Sequence, residues 1–216
     1  MWLGFNIAGY DLERGIDILV DSLTTSTDAL SERYEKVTSE YAAYEAGVAD
    51  GTIERIGEYE EGVGWIWEQS EHYEYDLSMI HEVLDTVTKA HVLALYHHWE
   101  RVIARWAKIK KPKNKGNVNH EDLCRAVSVA GFPIHPLMAA IRDLNNVLKH
   151  NSAKSGPALH SAWPELFDHD FQPGGGEYFD WHKAISINRI QMDEIVEALR
   201  LTGPPKYLPK PIDWVD

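Results

Sequence analysis

The chain has 216 residues, of which 44% are hydrophobic and 25% charged, and its net charge is −13. This composition provides enough apolar surface for a folded core and excludes a disordered chain. The first residues lack the basic region of a secretion signal, no uncharged stretch is long enough to span a membrane, and a single cysteine excludes an intramolecular disulfide. We therefore expect a cytoplasmic protein with no membrane partner.

The first half of the chain predicts two helices followed by a connection. Apolar residues between positions 11 and 48 recur at steps of three and four, which is a helical period. The polar run Thr24–Asp28 interrupts them and offers N-caps, so we expect one helix to about Ser22 and a second from about Thr27 to Val48. Residues 50–66 hold four glycines and five acids, and we expect a connection with at most one helical turn.

The second half predicts the centre of the fold. Residues Glu68–Ile109 contain no proline or glycine and keep an apolar stripe, which predicts the longest helix of the chain, a central one. Three shorter helices are expected at His120–Ala130, Pro133–Lys149 and Trp181–Leu201. Residues 163–180 should be irregular and residues 203–216 an extended tail. No alternating pattern typical of strands is present, so the sequence predicts an all-α fold, a single helical-bundle domain of about six helices over residues 1–216.

Eleven histidines raise the question of a metal site. The pair His81-Glu82 resembles the start of a zinc-protease helix, but Asp85 stands where the second histidine ligand should be. No Glu-x-x-His pair of the di-iron type occurs, and no glycine-rich phosphate loop is present. The sequence therefore predicts neither a metal nor a cofactor.

The charge is unevenly distributed along the chain. Residues 1–100 carry 21 acids against 5 bases, whereas residues 101–216 carry 13 acids against 16 bases. A basic strip begins at the end of the long predicted helix and contains Arg101, Arg105, Lys108, Lys110 and Lys111, with His97 and Glu100 as supporting residues just before it. The strip is a candidate RNA-binding surface, since a local cluster of bases can hold phosphates. The alternative is a solvated helix end, where bases are favoured by the helix dipole.

A second polar cluster lies on the predicted helix Pro133–Lys149. Arg142, Asn145, Asn146 and Lys149 fall within roughly 100° of one another around the helix, and His150 follows at its last turn. Such a patch is more than solubility requires on an apolar helix. Its alternative is an exposed face with Lys149 and His150 favoured at a helix C-terminus.

Tyr96–Arg101 together with residues 145–155 resembles a group of small bacterial and phage- or plasmid-borne proteins with a similar helical layout. The helix-ending segment from Asn145 to His150 resembles the signature of the HEPN superfamily, all-helical proteins of prokaryotic defence and toxin systems. Their motif is Arg, four to six residues and His, often with Asn after the Arg. The resemblance covers roughly residues 90 to 160. This sequence departs from the motif, because Asn145 stands where the shortest spacing would place Arg, and Arg142 is one residue too far from His150.

The resemblance implies a metal-independent endoribonuclease that belongs to a bacterial toxin–antitoxin system or to a defence system such as phage defence. In that family the motifs of two chains meet at a homodimer interface. His150 would act on the ribose 2′-OH, because its ordinary pKa of about 6.5 allows both protonation states near pH 7. Arg142 or Lys149 would stabilise charge on the phosphate, with Asn145 and Asn146 as orienting donors. The alternative is a non-catalytic helical interaction module or regulator with a degenerate site, whose partner would be a cognate antitoxin or defence-system protein.

Overall fold

A computed structural model describes residues 4–109, 119–172 and 179–208. Helices account for 70% of the described residues, which confirms a mainly helical protein. No helix in these three ranges is long and apolar enough to cross a membrane. By its internal contacts the chain divides into two compact units, Met1–Asp21 with Lys89–Asp216 (the first unit) and Ser22–Thr88 (the second unit). The expectation of one domain over residues 1–216 stays a prediction.

The first helix, α1, runs without interruption from Ile7 to Asp50. The predicted break between Ser22 and Thr27 is therefore wrong. The Ser26 hydroxyl donates to the Ser22 carbonyl at 2.8 Å, and the Thr27 hydroxyl donates to the Thr24 carbonyl at 3.0 Å. Polar side chains that were expected to cap a new helix instead bond back to the preceding turn of the same one.

Two short strands follow α1, where a connection without strands was expected. Strand β1 (Gly57–Glu60) and strand β2 (Gly64–Glu68) form an antiparallel hairpin, so the prediction of an all-α fold is wrong in this segment. Gly62 and Gly64 have φ angles of 86° and 102°, which only glycine adopts without strain, and they allow the tight turn. The Ile56 amide donates to the Tyr44 hydroxyl at 3.0 Å, which ties the start of the hairpin to α1.

Helix α2 extends from Gln69 to Trp106 and has 38 residues. It is long and continuous, but α1 with 44 residues is longer, so the prediction that this segment forms the longest helix is wrong. Both helices run through the two units.

Five further helices complete the described chain: α3 (His120–Val129), α4 (Met138–His150), α5 (Ser155–Ala162), α6 (Trp181–Ala184) and α7 (Arg189–Leu201). Helix α3 confirms the prediction for its segment, whereas α4 begins at Met138, five residues after the predicted start at Pro133. Helix α5 was not expected; its sequence contains a glycine and a proline, which weaken a helical pattern. The irregular segment predicted from residue 163 contains a short 3-10 helix, Pro164–Leu166. Residues 173–178 and 209–216 lie outside the described residues.

The last predicted helix, Trp181–Leu201, is divided into α6 and α7. Ile185 leaves the helix and forms an antiparallel bridge with Phe167. Asn188 then starts α7 with a capping box, in which it accepts from the Gln191 amide while the Gln191 side chain accepts from the Asn188 amide. The predicted continuous helix is wrong because the β-branched Ile185 is buried in an extended conformation.

The core of the first unit surrounds α4. Ile141, Leu144 and Val147 of α4 are fully buried, and α4 packs against α5, α6 and α7. Trp99 of α2 is also fully buried, and its indole N–H donates to the Thr202 carbonyl at 2.5 Å. Helix α4 is therefore a central element of this unit rather than a surface helix.

Candidate functional site

Helix α4 distributes the predicted site residues between the interior and the surface. Asn145 is 6% exposed and Arg142 and Asn146 are half-buried, whereas Lys149 and His150 are exposed. Arg142 contacts Glu121 of α3, Asn146 lies near Ser155 of α5, and Asn145 is buried. The structure therefore does not bring the five residues together on one solvent-exposed surface.

Arg142 is held by two carboxylates. Its guanidinium lies 2.6 Å from Glu121 of α3 and 3.1 Å from the neighbouring Asp143. The hydrogen bond to Asp143, followed by the bond to Glu121, raises the pKa of Arg142 further above its ordinary value. The pKa of Glu121 is lowered by a hydrogen bond from its own backbone amide and also by Arg142. The guanidinium thus joins α3 to α4 as a charged bridge.

Asp143 extends this network to α5. The Ser155 hydroxyl donates to Asp143 at 3.0 Å, and the Asn146 amide lies 3.5 Å from the same hydroxyl oxygen. Ser155 is the first residue of α5 and is buried. Arg142, Asp143 and Asn146 therefore connect three helices, and we call Arg142, Glu121, Asp143, Asn146 and Ser155 the bridging network.

Asn145 has a different environment from its neighbours. Its side-chain oxygen is buried and accepts no hydrogen bond from any residue within the described parts of the chain. A buried carbonyl oxygen without a donor costs about 1–3 kcal/mol of folding free energy. The position at which the shortest HEPN spacing would place Arg is thus closed to solvent and holds an unsatisfied polar group.

Three residues outside the predicted site form a polar row beside the network, in which Tyr96 and His120 are buried and Cys124 is half-buried. The Tyr96 hydroxyl lies 2.9 Å from His120 Nδ1, and His120 Nε2 lies 3.3 Å from the Cys124 sulfur. Burial, and then Arg142, lower the pKa of His120, while burial raises the pKa of Tyr96 and of Cys124. All three groups are therefore neutral near pH 7, and Cys124 is a thiol rather than a reactive thiolate. The i,i+4 spacing of His120 and Cys124 was the available sequence signal for this row.

The end of α2 carries the supporting residues. His97 lies 2.9 Å from Glu100, and both are partly exposed. The next histidine, His98, is 3.1 Å from the Asp11 carbonyl through Nε2, and Arg101 lies 3.3 Å from its Nδ1. These contacts attach α2 to α1 within the first unit.

A groove lies along this contact. It has a volume of about 490 Å³ and is lined by Gly15, Ile18, Leu19, Ala94, His97, His98 and Arg101. Of the predicted basic strip, Arg101, Arg105 and Lys108 are exposed, and Arg105 lies 3.7 Å from Asp11. Lys110 and Lys111 lie outside the described residues. The described part of the strip is accessible to solvent but is partly neutralised by α1.

No cluster of three or more His, Cys, Asp or Glu side chains suited to a metal ion occurs in residues 4–109, 119–172 and 179–208. No family model matches the chain, and no curated protein or solved structure matches it either.

Proposed function

We propose that this chain is a HEPN-like protein of a bacterial defence or toxin system that acts as a non-catalytic helical interaction module or regulator. The observation that supports this proposal is the pairing of Arg142 with Glu121 and Asp143. A phosphate would have to displace two carboxylates, one of them buried, before it could bind this guanidinium. Arg142 lies one residue farther from His150 than the motif allows, and its contacts are those of a structural cation.

The chemistry of RNA cleavage supports the same interpretation. Cleavage through the ribose 2′-OH needs a base near that hydroxyl and a cation on the phosphate oxygens, both accessible in one place. Here Asn145 and the Arg142 bridge are built into the helix packing, while His150 lies at the exposed end of α4. A module that binds a protein partner needs none of these groups to be free.

An RNA cleavage assay tests the absence of catalysis. Purified wild-type protein is incubated with end-labelled single-stranded RNA, with and without EDTA, and compared with the His150→Ala variant. We expect no cleavage above the buffer control in any sample. Cleavage by the wild type that disappears in His150→Ala would overturn the proposal.

The positive half of the proposal needs a binding experiment. Co-expression with the proteins encoded beside this chain, followed by affinity purification, should yield a stoichiometric complex. A chain that purifies alone after co-expression with each neighbour would contradict an interaction role. The Arg142→Ala variant removes the centre of the bridging network. It should lower the yield of complex only in proportion to its lower amount of folded protein.

A second candidate function is favoured by the exposure of Lys149 and His150 at the same helix end. A cation and an imidazole are both accessible there, which is the minimum that a metal-independent endoribonuclease needs. This candidate requires a homodimer that brings two copies of His150 to one cleft. Light scattering should then give twice the 24.6 kDa mass of the chain, and cleavage should be lost in His150→Ala, reduced in Lys149→Ala and unaffected by EDTA. A monomer would exclude this candidate.

A further inference from the structure

The β1–β2 hairpin of the second unit exposes large apolar side chains. Tyr59 is 62% exposed, Val63 70% and Ile66 50%, while Trp65 and Trp67 are 38% and 36% exposed. Aromatic side chains are enriched at the centres of protein interfaces and are costly to leave in water in such a group. These five side chains therefore form an exposed apolar group on the hairpin.

One face of the hairpin is organised around the Trp65 ring. Tyr59 lies opposite Trp65 in the register, and their ring centroids are 5.5 Å apart. Gly57 lies under the same ring, since a Cβ at this position would be 3.1 Å from it. The Arg55 guanidinium lies 5.6 Å from the centroid of the Trp65 ring. We call this surface, formed by Arg55, Gly57, Tyr59 and Trp65, the aromatic face. The Arg55 guanidinium makes a cation–π contact with its Trp65 ring.

The hairpin is also strongly acidic. Residues 54–68 contain five glutamates and one base, Arg55. Glu54, Glu58, Glu60 and Glu61 are exposed, and Glu68 lies 3.4 Å from Arg55. Aromatic rings surrounded by carboxylates attract guanidinium and ammonium groups, and the contacts of Arg55 with Trp65 and Glu68 show this chemistry within the chain itself.

The backbone of the hairpin offers hydrogen bonds as well. The described part of the chain contains a single sheet of these two strands, so each strand has an outer edge with no neighbouring strand there. An exposed edge can receive an extended segment as a third strand, with main-chain hydrogen bonds for affinity and side-chain contacts for specificity.

We propose that the β1–β2 hairpin is a docking surface for an extended, basic segment of a partner protein. The segment pairs with a strand edge and places its Lys or Arg side chains over the aromatic face and among the glutamates. Charge selects this occupant, because nucleic-acid phosphates would be repelled by the five carboxylates. A second copy of the chain is disfavoured as the occupant, because a symmetric contact would place these five carboxylates against the five carboxylates of the other hairpin.

This proposal goes beyond the proposed function, because the hairpin belongs to the second unit and the α4 site to the first. It holds whether or not the α4 site cleaves RNA. The outcome of the cleavage experiment therefore leaves it unaffected, and the peptide-binding experiment below decides it separately from the co-purification.

The test measures binding of a fluorescein-labelled nine-residue peptide of alternating lysine and valine to the full chain by fluorescence anisotropy. A second peptide has glutamate in place of lysine. Two double variants alter the hairpin, Tyr59→Ala with Trp65→Ala and Glu60→Lys with Glu61→Lys. The matched controls are Tyr75→Ala, whose ring is 65% exposed on α2 of the same unit, and Glu32→Lys with Glu35→Lys on α1.

We expect both hairpin variants to weaken binding of the lysine peptide by about tenfold or more, as loss of a cation–aromatic contact or of local charge requires. The controls should stay within about twofold, and the glutamate peptide should not bind. Helical circular dichroism shows that each variant is folded. Equal binding by hairpin and control variants would overturn the proposal. Two other results would also overturn it. If the wild type is a dimer that dissociates in the hairpin variants, the hairpin binds a second copy, and if the wild type binds single-stranded RNA and the variants do not, the hairpin binds RNA.

Discussion

Replacing Arg142 with alanine distinguishes a structural guanidinium from a phosphate-binding one. In the structure Arg142 bridges Glu121 and Asp143, and the Asp143 side chain is only 12% exposed. Removal of the guanidinium leaves Asp143 with its Ser155 hydrogen bond and a buried negative charge. A cation that existed to bind substrate would have no such partner, and its removal would leave stability unchanged or raise it.

The magnitude follows from the two contacts. The exposed Glu121 partner contributes at most ~1 kcal/mol, because its side chain is 58% exposed. The hydrogen bond to the buried Asp143 carboxylate contributes about 1.5–3 kcal/mol. We expect Arg142→Ala to lower the free energy of unfolding by about 2 kcal/mol. For a chain of this size that is a fall in melting temperature of about 4–8 °C.

Urea unfolding followed by circular dichroism measures this loss. Adding Asp143→Asn to the Arg142→Ala variant removes the buried charge and should recover about 1 kcal/mol. The matched control is Arg125→Ala, which removes an exposed arginine 3.5 Å from Asp122 and should cost no more than ~0.5 kcal/mol. An Arg142→Ala variant as stable as the wild type would refute the structural role of Arg142 and return it to the candidate phosphate ligands.

Three further predictions follow from the same helices. His150→Ala should change the free energy of unfolding by less than ~1 kcal/mol in thermal denaturation, because an exposed imidazole contributes only through the helix dipole. Burial lowers the pKa of His120, so the folded state favours its neutral form. The resulting stabilisation is complete above the unfolded pKa of about 6.5 and is lost as the pH falls toward the folded pKa, by at most ~1.4 kcal/mol per pH unit. In urea unfolding between pH 8 and pH 5, the free energy of unfolding of His120→Asn should therefore depend less on pH than that of the wild type. Gly15→Ala should destabilise the protein, because the new Cβ would overlap the His98 ring. This is the opposite of the usual effect, since alanine normally stabilises a helix interior by ~0.5–1 kcal/mol relative to glycine. A higher melting temperature of this variant would contradict the packing of Gly15 of α1 against His98 of α2.

The sequence predicted those elements whose apolar spacing agrees with their packing. Helices α3 and α4 have one strongly apolar face, and both were located within a few residues. The break expected in α1 was wrong because serine and threonine satisfy either a new helix N-terminus or the carbonyls of the preceding turn, and the local sequence does not distinguish the two. The hairpin was missed because a bulge between Glu58 and Tyr59 shifts the alternation that identifies a strand.

The candidate site shows a different limit of sequence reasoning. Angular spacing predicts that Arg142, Asn145 and Asn146 share one side of a helix, but it gives no information on what covers them. Glu121 and Ser155 belong to other helices, and the contact with Ser155 depends on α5, which was not expected. Whether a polar residue is a ligand or a bridge depends on such tertiary partners, and a single sequence does not contain them.

The burial of Asn145 decides whether an arginine would be tolerated at this position of α4. Its side-chain oxygen is buried without a donor, so Asn145→Leu should be neutral or stabilise the protein by up to ~1 kcal/mol, because an unsatisfied polar group is replaced by an apolar one. Asn145→Arg would recreate the shortest HEPN spacing to His150, but it places an unpaired cation in the core and should cost more than ~3 kcal/mol. Thermal unfolding of the two variants side by side measures the difference. If Asn145→Arg were as stable as the wild type and cleaved single-stranded RNA, the position would be open to substrate, and the degenerate site would be one substitution away from a ribonuclease.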